Sequence, residues 1–283
     1  MKSVLDFRRL DRSLSMVTCY DATSAAIVEA SNVDCILVGD SVAMTMHGFD
    51  STLPATPEMM AFHVAAVRRG APTKFLISDL PFLAHRGSID SCLAAVRTVM
   101  TAGAQAVKIE GIDGSEERIR HIVQSGVPVM GHLGLTPQSV HALGGFKVQA
   151  TSSAAGDALI DQALRVQAAG AFALVLECVP SEIAARVTAA LEIPTIGIGA
   201  GPSCSGQVLV FQDLLGLTQN FKPKFVRKYA DGFAFVKDAL DRYHADVVSA
   251  DFPSAKESYV MPSAPPVAEA LYSTVARKPE ANA

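Results

Sequence analysis

Seven short apolar runs, several rich in β-branched residues, recur along the chain and alternate with segments of helical periodicity, which confines it to a parallel α/β architecture. The runs lie near 15–19 (SMVTC), 33–38 (VDCILV), 73–78 (TKFLIS), 104–109 (AQAVKI), 127–131 (VPVMG), 171–176 (AFALVL) and 193–198 (IPTIGI). Helical spacing, with apolar residues three or four apart, falls at 22–31, 57–69, 90–102, 115–125, 157–169 and 181–191. The runs are apolar on both faces, as strands are when helices cover one side and a packed interior the other. Over 283 residues this predicts a (β/α)8 TIM barrel, with an open doubly wound sheet as the second choice. The eighth strand is poorly marked, and the stretch around 223–226 is the candidate for it. Helical pattern resumes over 225–247. Residues 252–283 carry Pro253, Pro262, Pro265, Pro266 and Pro279 with little periodicity, so the expected organisation is one barrel over 1–251 and a loosely ordered tail over 252–283.

Charge narrows the partners. Lys plus Arg is 24 and Asp plus Glu is 28, a formal net charge of -4, which gives no electrostatic reason to expect nucleic acid or an anionic membrane surface. Although 49% of the residues are hydrophobic, no apolar run approaches the roughly 18 residues that span a bilayer. The excess apolarity reads as core and as subunit interface. The first residues, MKSVLDFRRLDRSLSM, mix charges and hold no signal-peptide stretch, so a cytoplasmic location is expected. Cys19, Cys35, Cys92, Cys178 and Cys204 are scattered without a CxxC pair, which points to neither a disulfide framework nor a zinc ribbon.

The residues that end the strands carry the chemistry. Asp40 follows ILVG, Asp79 follows FLIS, Glu110 follows AVKI, His132 follows PVMG and Glu177 follows ALVL. One acid after a strand is commonly a helix cap or turn former. In a parallel barrel, however, all strand C-termini open on one face, and these groups would converge there. Carboxylates clustered without Cys or paired His favour a hard cation, for which Mg²⁺ is the natural choice. Asp40 and Asp79 are the expected direct ligands, with Glu110 either a third ligand or the holder of a metal-bound water. Lys108 points to the same face of its strand as Glu110 and would either pair with an acid or bind a substrate anion. His132, near Gly131 and Gly134, has room for a ligand beside it or serves the structure. GIGAG at 197–201 lacks the last glycine of a dinucleotide fingerprint. HLGLTPQS at 132–139 is expected to shape a pocket, and the stretch 42–60, with His47, to form a loop over the mouth.

At these residues the sequence resembles the ketopantoate hydroxymethyltransferase family. The matching segments include TCYDATSA (18–25), ILVGDSVAMTMHGFDSTLPAT (36–56), DLPF (79–82), AGAQAVKIEG (102–111), VPVMGHLGLTPQSV (127–140), LVLECVP (174–180), IPTIGIGAGP (193–202) and GQVLVFQDLLGL (206–217). The resemblance implies transfer of a hydroxymethyl group from 5,10-methylenetetrahydrofolate to 3-methyl-2-oxobutanoate, giving 2-dehydropantoate. It also implies Asp40 and Asp79 as Mg²⁺ ligands, Glu110 as a further carboxylate of the metal site, and Ser41 with Asp40 and Asp79 around the ketoacid. Lys108 and His132 would stand beside the substrate, Glu177 would accept the proton, and the assembly would be a homo-oligomer, commonly a decamer. The sequence departs from the usual pattern at Ile112, at Ala84-His85-Arg86 and at Ser205. A folate-independent, metal-dependent ketoacid aldolase or lyase of the phosphoenolpyruvate mutase and isocitrate lyase type is the alternative. A barrel that only binds or scaffolds is a third reading, opposed by the intact set of acids.

Overall fold

A computed structural model describes residues 3–9, 11–219 and 223–261. Eight strands close into one parallel barrel in chain order: β1 (Leu14–Thr18), β2 (Cys35–Val38), β3 (Phe75–Asp79), β4 (Ala106–Glu110), β5 (Val129–Gly134), β6 (Ala173–Glu177), β7 (Thr195–Ile198) and β8 (Gly206–Leu209). β8 pairs with β1, Val208 opposite Met16, and so closes the ring. The helices are α1 (Val4–Arg9), α2 (Ala22–Ala30), α3 (Val42–Thr45), α4 (Pro57–Gly70), α5 (Ile89–Thr101), α6 (Glu116–Gln124), α7 (Val140–Leu143), α8 (Ser153–Ala168), α9 (Ser181–Ala190), α10 (Phe211–Leu214) and α11 (Gly232–Val248).

The chain divides into two compact units, residues 1–232 and 233–283. The second begins within α11, and in it the Tyr243 ring meets Phe252 edge-on with centroids 5.6 Å apart. Residues 262–283, most of the expected tail, lie outside the described residues.

The barrel is the expected one, but its eighth strand is not at 223–226. That segment is irregular, with a turn bond from Val226 N–H to Pro223 O, and the strand is GQVL at 206–209. It escaped notice because no helix separates it from β7. A turn through Gly199–Ser205 replaces the usual crossover, so the alternation used to count strands breaks there. The same turn removes any dinucleotide role from GIGAG, since no helix opens behind it.

Period-two geometry explains where the site forms. Inward columns start apolar at the lower end of the barrel and finish polar at the upper end: Phe75, Ile77, Asp79 on β3; Ala106, Lys108, Glu110 on β4; Met130, His132 on β5; Ala173, Val175, Glu177 on β6. The apolar members form a closed inner cluster with Leu14, Met16, Leu37, Ile196 and Val208. Phe7 on α1 plugs its lower end, edge-on to Phe75 and Phe172 with centroids 5.4 and 5.2 Å away. Intervening residues such as Leu76, Val107, Ile109 and Leu174 face outward into a second layer with Val64, Val67, Ile119 and Val166 of the helices. Each such side chain taken from water contributes about 1.5–3 kcal/mol, so the scaffold under the mouth is rigid.

Local signals start the helices where the sequence placed them. Asp21 caps α2 by accepting from Ser24 N–H at 2.8 Å, and Thr56 caps α4 from Met59 N–H ahead of Pro57. The stretch expected to cover the mouth is therefore α3 and the loop up to Thr56, while 57–60 is the first turn of α4.

Candidate active site

Asp40, Asp79, Lys108, Glu110 and His132 come together at the upper end of the barrel, each no more than 4% exposed. Asp79 Oδ2 accepts from the Asp40 backbone N–H at 3.0 Å, which joins β2 to β3. Lys108 Nζ lies 3.1 Å from Asp79 Oδ1, 3.7 Å from Glu110 Oε1 and 2.9 Å from His132 Nδ1. His132 Nδ1 is also 3.2 Å from Glu110 Oε1, and its Nε2 stands 3.3 Å from Glu177 Oε2. Glu177 is the most open of the set, its side chain 17% exposed. Six of the seven residues singled out from the sequence are thus one connected network.

Ser41, the seventh, sits beside it. Its Oγ is 2.8 Å from the hydroxyl of Tyr20, a residue the sequence reading had not picked. Tyr20 is buried and its hydroxyl is pushed up to about 12 by that burial, so it remains a phenol and can donate to Ser41.

The charges are crowded. Burial pushes Asp40 well above the usual carboxylate range, and the neighbouring Asp79 and Glu110 carboxylates push it the same way. Asp79 is also raised by burial, with Lys108 pulling against it. Glu110 is lowered: its burial is outweighed by His132, Lys108 and a bond from Gln138 N–H. Lys108 loses hydration but gains Asp79, Glu110 and Asp40, so its ammonium form is strengthened. Lys108 can only donate, so its contact needs a bare His132 Nδ1. Burial and Lys108 oppose a charge on that ring, yet Glu110 and Glu177 outweigh them and push it up to about 9. One ammonium and two carboxylates therefore contest the His132 proton.

Several of these atoms are buried without a hydrogen bond: Asp79 Oδ1, Glu110 Oε1 and His132 Nε2 have only ion contacts. Among the described residues no three His, Cys, Asp or Glu side chains close into a ready-made metal centre. What is present is a buried acidic cluster with unsatisfied oxygens, which fits a hard cation that draws most ligands from water and substrate.

The loop after β5 supplies a residue that strand-end reasoning missed. Gln138 is 6% exposed; its backbone N–H donates to Glu110 Oε2 at 3.0 Å, and its Nε2 donates to Asp40 Oδ2 at 2.7 Å and Leu80 O at 2.9 Å. Gly134 makes the turn possible. It has φ +90°, and an added Cβ would fall 2.3 Å from Glu177 O. Neither Gln138 nor Tyr20 is a charged residue in or at the end of an apolar strand run. His47, in the loop after α3, is 2.9 Å from His63 of α4 by their Nε2 atoms, and His63 Nδ1 is 2.6 Å from Tyr20 O.

The fold and site define a (β/α)8 barrel with a buried cluster of acidic and basic side chains at one mouth. A family model for ketopantoate hydroxymethyltransferase matches residues 1–255. A 3-methyl-2-oxobutanoate hydroxymethyltransferase of Bdellovibrio bacteriovorus is 57% identical over 262 residues, covering 92% of this chain and 100% of that one. One from Coxiella burnetii is 53% identical over 252 residues, covering 88% and 95%. The chain belongs to the ketopantoate hydroxymethyltransferase family, and it is an enzyme of the hydroxymethyltransferase kind. Among solved structures, a phosphonopyruvate hydrolase in complex with oxalate and Mg²⁺ shares the fold, with a TM-score of 0.60, 16% identity and coverage of 91% of this chain and 93% of that one. Among the described residues no helix is long and apolar enough to cross a membrane.

Proposed function

We propose that the chain transfers a hydroxymethyl group from 5,10-methylenetetrahydrofolate to 3-methyl-2-oxobutanoate, forming 2-dehydropantoate, with Mg²⁺ at Asp40 and Asp79 and Glu177 as proton acceptor. The observation that carries this reading is the Asp79–Lys108–His132–Glu177 chain, which links one buried, raised aspartate, itself accepting from the Asp40 backbone N–H, to the more open Glu177 carboxylate. Family membership supports the ketoacid and the transfer.

The reaction's difficulty is the weakly acidic hydrogen on C3, next to the ketone. A divalent cation held by Asp40 and Asp79 would supply the Lewis acid that favours negative charge on the keto oxygen, worth several kcal/mol in typical sites. Glu110, whose Oε2 accepts from Gln138 N–H and whose Oε1 faces His132, would be either a third ligand or the holder of a metal-bound water. Lys108 brings a positive charge to the substrate anion, and Ser41 has a hydroxyl hydrogen to offer once Tyr20 donates to it. Glu177 takes the proton. Its Oε2 faces His132, which orients the carboxylate and leaves Oε1 for the substrate. C3 then bonds to the methylene carbon as one of its two C–N bonds breaks, that nitrogen taking the proton from Glu177; water replaces the second nitrogen, giving its oxygen to the carbon and a proton to the nitrogen, and tetrahydrofolate leaves. The same reading includes a homo-oligomeric, cytoplasmic enzyme.

Proton exchange tests it. With Mg²⁺ and no folate, the enzyme should exchange the C3 hydrogen of 3-methyl-2-oxobutanoate with solvent deuterium, while net product should require the folate. Glu177→Gln should slow exchange by about 10²–10⁴-fold, the usual loss of a general base. Undiminished exchange in that variant removes Glu177 as the base, and product formed without folate favours the aldolase or lyase alternative.

A further inference from the structure

Gln138 commits every donor it has to the mouth. Its amide plane is set unambiguously: Nε2 meets Asp40 Oδ2 at 2.7 Å and Leu80 O at 2.9 Å, both acceptors, so only the nitrogen can stand there and both its hydrogens are used. Its backbone N–H holds Glu110 Oε2. A single residue after β5 thus ties together the ends of β2, β3 and β4, and it does so inside the buried cluster. Among the described residues no hydrogen bond reaches Asp40 Oδ1. Gln138 therefore leaves one Asp40 oxygen uncommitted and denies the carboxylate rotation about its terminal bond.

We propose that Gln138 is a positioning residue that sets the affinity of the mouth for a divalent cation by fixing the orientation of the Asp40 carboxylate. The inference rests on the cation reading of the proposed function. Groups that hydrogen-bond a ligating side chain typically change metal affinity 10–100-fold when removed. Here the effect has a specific origin: without the amide, Asp40 can turn either oxygen toward the repelling Asp79 and Glu110 carboxylates, and the cation must pay to reorder it. The Glu110 contact is made by the backbone, so side-chain substitution leaves it in place and isolates the Asp40 contact.

Mn²⁺, followed by water-proton relaxation on the full chain, is the probe. Gln138→Met keeps length and bulk but removes the amide, and should bind Mn²⁺ about 10–100-fold more weakly than wild type. Gln138→Asn keeps an amide one methylene short of Asp40, should weaken binding in the same direction, and serves if the Met variant does not fold. In exchange assays the concentration of Mg²⁺ needed for half-maximal rate should rise, with kcat restored at saturating Mg²⁺. A residue that merely anchors the loop would lower kcat at every Mg²⁺ concentration and leave Mn²⁺ affinity alone. Unchanged Mn²⁺ affinity in a folded variant overturns the role of Gln138 only. Wild-type protein that binds no Mn²⁺ overturns this role together with the cation reading.

Discussion

Two buried aspartates stand at opposite ends of β2, and the barrel treats them in opposite ways. Asp34, just before the strand, accepts from Arg12 through both carboxylate oxygens at 2.9 and 2.5 Å, and from Ser15 N–H and Oγ at 2.9 and 3.0 Å. The Arg12 hydrogen bond leads in holding it down at about 2. Asp40, just after the strand, has one hydrogen bond to its carboxylate, and burial, followed by its two acidic neighbours, pushes it well up. A carboxylate at the lower end is satisfied by the protein and ties β1 to β2. One at the upper end is left in want of positive charge, the division of stability and function expected of the two faces of such a barrel.

The largest break in that comparison should come from Asp40→Asn. The amide keeps the size of the side chain, and its oxygen can still accept from Gln138, but the charge is gone. C3–H exchange with Mg²⁺ should fall by about 10³-fold or more, the loss of several kcal/mol of charge stabilisation. Melting temperature, followed by calorimetry without divalent cation, should hold or rise, because repulsion from Asp79 and Glu110 is relieved. A clear fall in melting temperature would mean that Asp40 serves stability as Asp34 does.

Asp34→Asn is the counterpart and should have a smaller effect of the opposite kind. It loses a charge-assisted, two-pronged contact with an arginine that is itself 57% exposed, so the cost is discounted for solvent to about 1–2 kcal/mol. Melting temperature should drop by a few degrees for a chain of this size. Exchange at saturating Mg²⁺ should stay within about twofold of wild type, and a loss beyond tenfold would show that the two ends are coupled through β2.

The same two ends explain what was legible in the sequence. Asp40, Asp79, Lys108, Glu110, His132 and Glu177 were visible because each is a charged or polar residue in, or next to, an apolar strand run, and period-two geometry carries them to one mouth. Gln138 and Tyr20 were not: one reaches back from a loop across three strands, the other is an ordinary buried aromatic until its hydroxyl meets Ser41. Asp34 was passed over for a similar reason, since its partner Arg12 lies on a separate segment and only the β1–β2 pairing brings them together. Strand eight failed differently. Its four residues follow β7 without a helix, so a rule that counts alternation had nothing to count.

The smallest effect, and the sharpest check on the lower end, is the pH dependence of the Asp34 contribution. In the unfolded chain an aspartate titrates near 3.8, whereas in the folded protein Asp34 is held at about 2. The folded state therefore binds its proton less readily than the unfolded state does, and stability from this group rises with pH between the two values. It is fully present above about 4 and is lost as pH falls through about 2. The difference in unfolding free energy between wild type and Asp34→Asn should accordingly be constant from neutral pH down to about 5, shrink below 4, and approach the residual cost of the amide near 2. Urea unfolding of both proteins at a series of pH values measures it. Other acids titrate over the same range and bend both curves, but they are common to the two proteins and cancel in the difference. A difference that persists unchanged at pH 2 would mean that the Asp34 hydrogen bonds, and not its charge, hold the lower end together.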